Sequence, residues 1–567
     1  MLNPKIHEQA AVALTVNENT KKLLQAIYRA QRHHHQDKSD RPKIRVSSVI
    51  SRMSFFYEKI RNAVDYKEEY LLRKEAIERI LRRQVLIEGS LKDCQPAEIS
   101  RHLLTELIRG GYLPNNQLPA ALIDEIAVII KKYLTIKDIA APSLGQQVSR
   151  GLSDRNLAKL KQDLTKRSQL IDWLLAVGAS EIEEHLGQDP VLSQAIYNLY
   201  RYLSDNIELV DNKEMSVDLS IQVYLSVNRN FAKLDDDMLS FILFKYYIAD
   251  WSRLDEQQWP AIGEKIKEIR QAITSQLHHP LARPLDKITH RYAVCISILL
   301  SLLKDDPVAA YVSFKTDPKA FPRLIKKSCE ERYAKAKKLL WRAALRSIIY
   351  IFLTKTVLVI ALEIPANKFF NANIGLGILL INAIFPAGLL FLAVLLTRLP
   401  EEANTNQIID LINELSFEEN KRVDPIILKL PKIKTNFLSK VFNLFYKLTF
   451  LITFSAIIWL LVKLHFTWIS TLIFLFFLVF VSFFIIRIKR ITNELKITET
   501  KESLWQTLFD IFTLPIMSVG KYLSEKFSKV NILVFLLDFI IETPFKFFVD
   551  IAEDWTNYVK ERKSQIN

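Results

Sequence analysis

Lys355 and Asn382 are the residues whose setting most invites chemistry. Lys355 lies in the middle of SIIYIFLTKTVLVIALEI, Ser347 to Ile364. An ammonium in an apolar stretch of membrane-spanning type is costly and often marks an ion path. The plainer reading has it packed toward a partner or snorkelling to the surface. Asn382 lies in INAIFPAGLL with Pro386, and Ala383 and Ala387 follow the small-xxx-small spacing. An amide here can hydrogen-bond inside a helix bundle, and the proline can bend the helix. No Asp or Glu stands at the centre of an apolar stretch, which weighs against a proton relay or cation transport.

Other candidates for chemistry are weaker. His33, His34 and His35 fall in the polar segment QRHHHQDKSDRP, and His278 and His279 precede Pro280 in a connection. Both read as solvated loops before they read as metal ligands. Asp538 and Glu542, four apart, share a helix face but lack a third ligand. Asp235, Asp236 and Asp237 precede MLSFILF and fit the cap of a helix N-terminus. Cys94, Cys295 and Cys329 are widely spaced and form no CxxC pair. No phosphate-loop, zinc-protease or nucleophile-elbow motif occurs. No catalytic, cofactor-binding or metal-binding residue is assigned, and no cofactor is expected.

The elements that would carry Lys355 and Asn382 are apolar helices. Four stretches approach the roughly 20 apolar residues that a bilayer crossing needs. They cover about 347–364, 374–396, 448–462 and 466–486, and the third can extend upstream over VFNLFY. Basic residues crowd the chain before the first, between the second and third, and after the fourth. The two short connections between hairpin partners carry almost none. By the positive-inside rule both termini and the middle loop are cytoplasmic. The first residues lack the apolar core of a cleavable signal peptide. Lys335, Lys337, Lys338, Trp341, Arg342 and Arg346 lead into the first stretch. They suit a surface anchor on anionic lipid. The tail over 503–550 is apolar but broken by Asp510, Lys521, Asp538, Glu542 and Lys546. That pattern suits helices lying in the membrane interface, with a re-entrant pair as the alternative.

The first 340 residues read as soluble helices. The chain has only 12 glycines in 567 residues, where roughly 40 would be usual, so tight hairpins and phosphate loops are scarce. In YEKIRNAVDYKEEYLLRKEAIERILRRQ an apolar stripe runs through Phe56, Ile60, Ala63, Tyr70, Ile77 and Leu81. Glu69, Glu75 and Glu78 each precede an Arg by four, the favourable order. This predicts a salt-bridged amphipathic helix rather than a nucleic-acid surface, because the charges compensate. The net charge of +15 is then explained by lipid, not nucleic acid. SVDLSIQVYLSVN could hold a short strand, and YAVCISILLSLL suits a buried core helix.

FYEKIRNAVDYKEEYLLRKEAIERILRR, LLTELIRGGYLPNN and the tail segment LPIMSVGKYLSEKFSKVNILVFLLDFIIETPFK together resemble a family of membrane proteins from candidate-phyla bacteria. The resemblance implies a bacterial cytoplasmic membrane. It carries no activity and no site residues.

The expected architecture is all-α. A cytoplasmic helical domain spans 1–340. A basic juxtamembrane helix and first hairpin follow over 341–397, a cytoplasmic loop over 398–447, a second hairpin over 448–486 and an interfacial tail over 487–567. The expected function is a membrane-anchored scaffold that recruits an unidentified cytoplasmic protein. An oligomeric channel or transporter, and an enzyme acting on lipid or envelope precursors at the membrane surface, are the alternatives.

Overall fold

The structure is a computed structural model. It describes residues 16–33, 42–46, 55, 58, 68–87, 95–141, 154–187, 189–209, 215–305, 320–369, 376–397, 399–417, 422, 424–429, 437–498, 513–522, 551, 555, 558–559 and 562. In chain order the helices are α1 (Glu18–His33), α2 (Glu69–Arg82), α3 (Pro96–Arg109), α4 (Leu122–Ala140), α5 (Asp154–Leu186) and α6 (Pro190–Asn206). Then come α7 (Ser216–Asn230), α8 (Asp236–Tyr247), α9 (Trp259–Leu277), α10 (Ala282–Asp305), α11 (Ala320–Leu358) and α12 (Ile364–Phe369). The last are α13 (Leu376–Leu395), α14 (Glu402–Phe417), α15 (Phe437–Lys463) and α16 (Trp468–Asn493). Short π-helical turns follow α2 and α11, at Arg83–Ile87 and Val359–Glu363. Two three-residue strands, β1 (Ile207–Leu209) and β2 (Ile426–Leu428), pair in parallel.

The chain divides into two compact units. The first, called here the helical unit, comprises Lys22–His290, Lys421–Lys429 and Leu533–Asn567. One of its cores gathers Ile77, Leu81, Leu103, Leu107, Ile126 and Ile182 from α2 to α5. A second gathers Leu174, Leu225, Leu239, Phe244, Trp259 and Ile266. Helix starts follow local chemistry. Pro96, Pro190 and Pro260 occupy first-turn positions, where a missing N–H costs nothing. Asp189 accepts from the N–H groups of Val191 and Leu192, and Asp235 accepts from that of Met238, as the aspartate run predicts. After α3 the chain turns through Gly111, whose φ of 77° lies in the left-handed region that glycine tolerates.

Two expectations change on contact with the fold. SVDLSIQVYLSVN is helix α7, not strand. Ile221, Val223, Leu225 and Val227 are all buried, so neighbours cover it on several sides and packing overrides β-branched propensity. In the charged stretch that ends in α2, Ile77 and Leu81 are buried as the stripe predicts, and Glu78 pairs with Arg82 at 3.0 Å. Arg73, however, reaches across to Glu183 rather than to Glu69, with two bonds of 2.6 and 2.7 Å. Phe56, Ile60 and Ala63 lie outside the described residues.

The second unit comprises Met1–Lys21, Arg291–Asn420 and Leu430–Ile532. Among its described residues, three helical stretches are long and apolar enough to cross a membrane: Ala320–Glu363, Asn443–Lys463 and Trp468–Asn493. The upstream extension expected for the third apolar stretch is present, because α15 begins at Phe437. The second stretch is helix α13, with Pro386 inside it and an apolar run over Ile384–Leu395. Leu340, Ala344 and Ile351 of α11, Leu390 and Val394 of α13, and Phe477 and Val481 of α16 form the core. YAVCISILLSLL lies in α10 with Tyr292, Cys295, Ile298 and Leu299 buried, as expected of a core helix. Asn404 of α14 is 1% exposed. Its Nδ2 donates to the Tyr333 hydroxyl and to the Leu495 carbonyl, and its Oδ1 accepts from the Ile497 N–H. Residues 513–522 are helical and pack on α16, where the Ser482 hydroxyl donates to the Ile516 carbonyl. Gly520 permits this approach, since a Cβ there would overlap Ser482 Oγ.

Candidate functional site

Helix α11 carries one buried stripe along its whole length: Phe321, Ile325, Cys329, Ala336, Leu340, Ala344, Ile351 and Lys355. The stripe continues through Val359 and Glu363. In a regular helix, eight residues at about 100° each would leave Glu363 about 80° away from Lys355. The π-helical turn at Val359–Glu363 advances less per residue and brings Glu363 back toward the face of Lys355. Both side chains are 0% exposed, while Ile360 and Leu362 between them are exposed.

The expected pair, Lys355 and Asn382, lies in one helix bundle without a direct bond. Asn382 is 0% exposed, and its Nδ2 donates to Glu363 Oε1 at 2.8 Å and to Oε2 at 2.9 Å. The Ser470 hydroxyl of α16 donates to the same carboxylate. Three elements therefore converge on Glu363. Lys355 Nζ lies 4.4 Å from the Phe477 ring centroid, a cation–π distance. Among the described residues Nζ has no hydrogen-bond partner, and Glu363 acts on it only as a nearby charge. Asn382 Oδ1 is buried and, among the described residues, also without a partner. No protein-family model matches the chain, and no match was found among curated proteins or solved structures. The assignment therefore rests on this geometry.

Glu363 and Ser470 escaped the sequence reading. Glu363 is the last residue but one of the apolar stretch over 347–364, where a carboxylate ordinarily reaches the headgroups. Its spacing from Lys355 was the only available signal, and the π turn that aligns the two has no sequence signature.

Lys335, Lys337, Lys338, Trp341, Arg342 and Arg346 are all exposed on α11. Beyond Arg346 the exposed residues become Ile349, Tyr350, Phe352 and Leu353, so the outer face changes from basic to apolar within about a turn.

Charges buried in the helical unit serve its architecture. Lys74 is 1% exposed and bonds Asp235 at 3.0 Å and Asp237 at 2.6 Å. Burial works against its charge, but Asp235, Asp237 and Glu78 outweigh it and hold its pKa above the usual lysine value. Glu181 accepts from Lys132 Nζ and from Trp251 Nε1, both at 2.7 Å. Burial lowers the Lys132 pKa against the opposing pull of Glu181. Among the described residues no three His, Cys, Asp or Glu side chains gather as a metal-holding group. His278 bonds the Thr274 carbonyl and His279 accepts from the Leu281 N–H, both local contacts at the end of α9. His34, His35, Asp538 and Glu542 lie outside the described residues.

Proposed function

We propose that the chain is a multi-pass protein of a bacterial inner membrane that acts as a membrane-anchored scaffold. Its four apolar helices, α11, α13, α15 and α16, cross the bilayer. Both termini and the loop before α15 face the cytoplasm, as the distribution of Lys and Arg supports. The basic outer face of α11 rests on anionic lipid, with Trp341 at the headgroups. The helical unit recruits a cytoplasmic protein.

One observation carries this reading. A compact helical unit with cores of its own accompanies helices of membrane-crossing type, and its buried cations are engaged in internal ion pairs rather than free for chemistry. The unit also exposes Tyr246 and Tyr247 at the end of α8, with rings 5.4 Å apart. Tyrosine is enriched at interaction hot spots. In-cell crosslinking of the full-length protein, followed by mild extraction and mass spectrometry, tests the reading. A dominant cytoplasmic protein crosslinked to residues of the helical unit supports it. Self-crosslinks alone, between the apolar helices, overturn it.

The Lys355, Glu363 and Asn382 cluster favours a second reading, an oligomeric channel or transporter. Ion flux into vesicles that contain the purified protein separates the two.

A further inference from the structure

We infer that Glu363, Asn382 and Ser470 form a binding site for a monovalent alkali cation within the apolar bundle, with Lys355 as the charge that exchanges with it. This goes beyond the scaffold reading, and neither stands or falls with the other.

The donor set identifies the ligand class. Glu363 supplies two carboxylate oxygens, Asn382 an amide oxygen and Ser470 a hydroxyl oxygen, from the π turn, α13 and α16 respectively. These are hard oxygen ligands with no nitrogen or sulfur, which suits alkali and alkaline-earth ions and disfavours zinc or copper. A single carboxylate supplies a single negative charge, which matches a monovalent ion.

Two leftover groups separate this cluster from simple helix glue. Polar networks between membrane helices do hold bundles together. A network serving only that purpose would satisfy its members, because an unpaired buried polar group costs more than a bond returns. Here, among the described residues, Asn382 Oδ1 has no partner although its side chain is 0% exposed. It belongs to the amide whose Nδ2 touches both Glu363 oxygens, so a half-turn of that amide brings Oδ1 to the position Nδ2 holds. Lys355 Nζ is likewise buried and unbonded.

Charge balance then sets the mechanism. α13 contains no titratable residue, and α16 has none before Arg487. Among the described residues, Glu363 is the charge facing Lys355 from the elements packed around it. With Lys355 as ammonium and Glu363 as carboxylate the cluster is neutral. Admitting a monovalent cation would leave one uncompensated positive charge in an apolar setting, which is expensive. Neutrality returns when Lys355 releases one proton to bulk water and becomes a neutral amine. The N–H bond breaks, its electron pair stays on nitrogen, and the cation takes over the charge opposite Glu363. Cation binding and proton release are thus one exchange.

The test uses full-length protein in detergent micelles and sodium-23 NMR, with N-methylglucamine holding ionic strength constant. Wild type should give saturable sodium line broadening that lithium displaces. Apparent affinity should rise roughly tenfold per pH unit while Lys355 remains mostly protonated, because one proton leaves per ion bound. Glu363→Gln should abolish the broadening, and Ser470→Ala, the milder change, should weaken it. Lys355→Met should keep binding and lose its pH dependence. Absence of saturable broadening in wild type overturns the proposal whatever the variants do. Broadening unchanged in Glu363→Gln, or a pH dependence unchanged in Lys355→Met, overturns it as well.

Discussion

Asn382 Nδ2 reaches both carboxylate oxygens of Glu363, at 2.8 and 2.9 Å, across the interface between α13 and the end of the α11 stretch. Both residues are 0% exposed. This relationship makes Asn382 structural whatever else it does. Asn382→Leu strips two donors from a buried carboxylate and should destabilise the bundle by about 2–3 kcal/mol. The triple change Lys355→Met, Glu363→Leu, Asn382→Leu removes the two charges and the amide together, leaves the Ser470 hydroxyl to turn to a carbonyl of its own helix, and should recover most of that loss, since apolar replacement of a buried polar cluster is often near neutral. Thermal unfolding in micelles compares the two. A triple variant less stable than Asn382→Leu would contradict the argument.

The Lys132–Glu181–Trp251 cluster makes a separate claim about the helical unit. Lys132 Nζ also lies 4.0 Å from the Trp251 ring centroid, so the ammonium has two partners. Lys132→Met should cost about 3 kcal/mol because it leaves Glu181 as a buried anion without its cation. Adding Glu181→Gln keeps an acceptor for the indole N–H and removes the unpaired charge. The double variant should therefore be more stable than Lys132→Met. Denaturant midpoints followed by tryptophan fluorescence measure both.

Lys74 sets an alkaline limit. Its pKa is raised in the folded state, so the folded chain holds that proton more tightly than the unfolded one. Its contribution is complete below the unfolded lysine value of about 10.4. It is lost as the pH climbs from there through the higher folded value. Wild type should lose stability in urea as pH rises above about 10, and Lys74→Met should lose less over the same range. At neutral pH Lys74→Met should already be weaker by about 1–3 kcal/mol, the partly exposed Asp235 and Asp237 limiting the damage. Equal alkaline slopes in the two proteins would exclude Lys74 as the cause.

Gly520 is a packing requirement. A Cβ there would overlap Ser482 Oγ and lie 3.0 Å from the Phe483 nitrogen, and a backbone atom cannot swing aside. Gly520→Val should lift the 513–522 helix from α16. In a Ser482→Cys, Ile516→Cys background, oxidative crosslinking should be efficient while Gly520 is kept and should fall severalfold once Gly520→Val is added. Unchanged crosslinking would mean that the close approach is not maintained.

Much of this protein is determined locally and is therefore legible in its sequence. Scarce glycine and sustained apolar periodicity make it helical. The aspartates before Met238 cap α8, prolines open α3, α6 and α9, and long apolar stretches mark helices of membrane-crossing length. Lys335, Lys337, Lys338, Arg342 and Arg346, which precede Ser347, are exposed on α11. Each of these follows from interactions within a turn or two of helix, so a short window contains its cause.

Partner choice was decided by the tertiary structure. Lys74 meets carboxylates 161 and 163 residues away, and Ser470 meets a carboxylate 107 residues away. Arg73 had a favourably placed Glu69 one turn before it, yet it bonds Glu183. The solvated pair is worth only a few tenths of a kcal/mol, whereas a buried carboxylate left without its cation costs several. α7 is helical for a related reason, because neighbours bury it on several sides and outweigh its own β-branched residues. The Glu363 site depends on both conditions. A π turn rotates the carboxylate inward, and two helices distant in sequence close over it. No local pattern encodes which helices will face each other, so that site became visible only once the chain had folded.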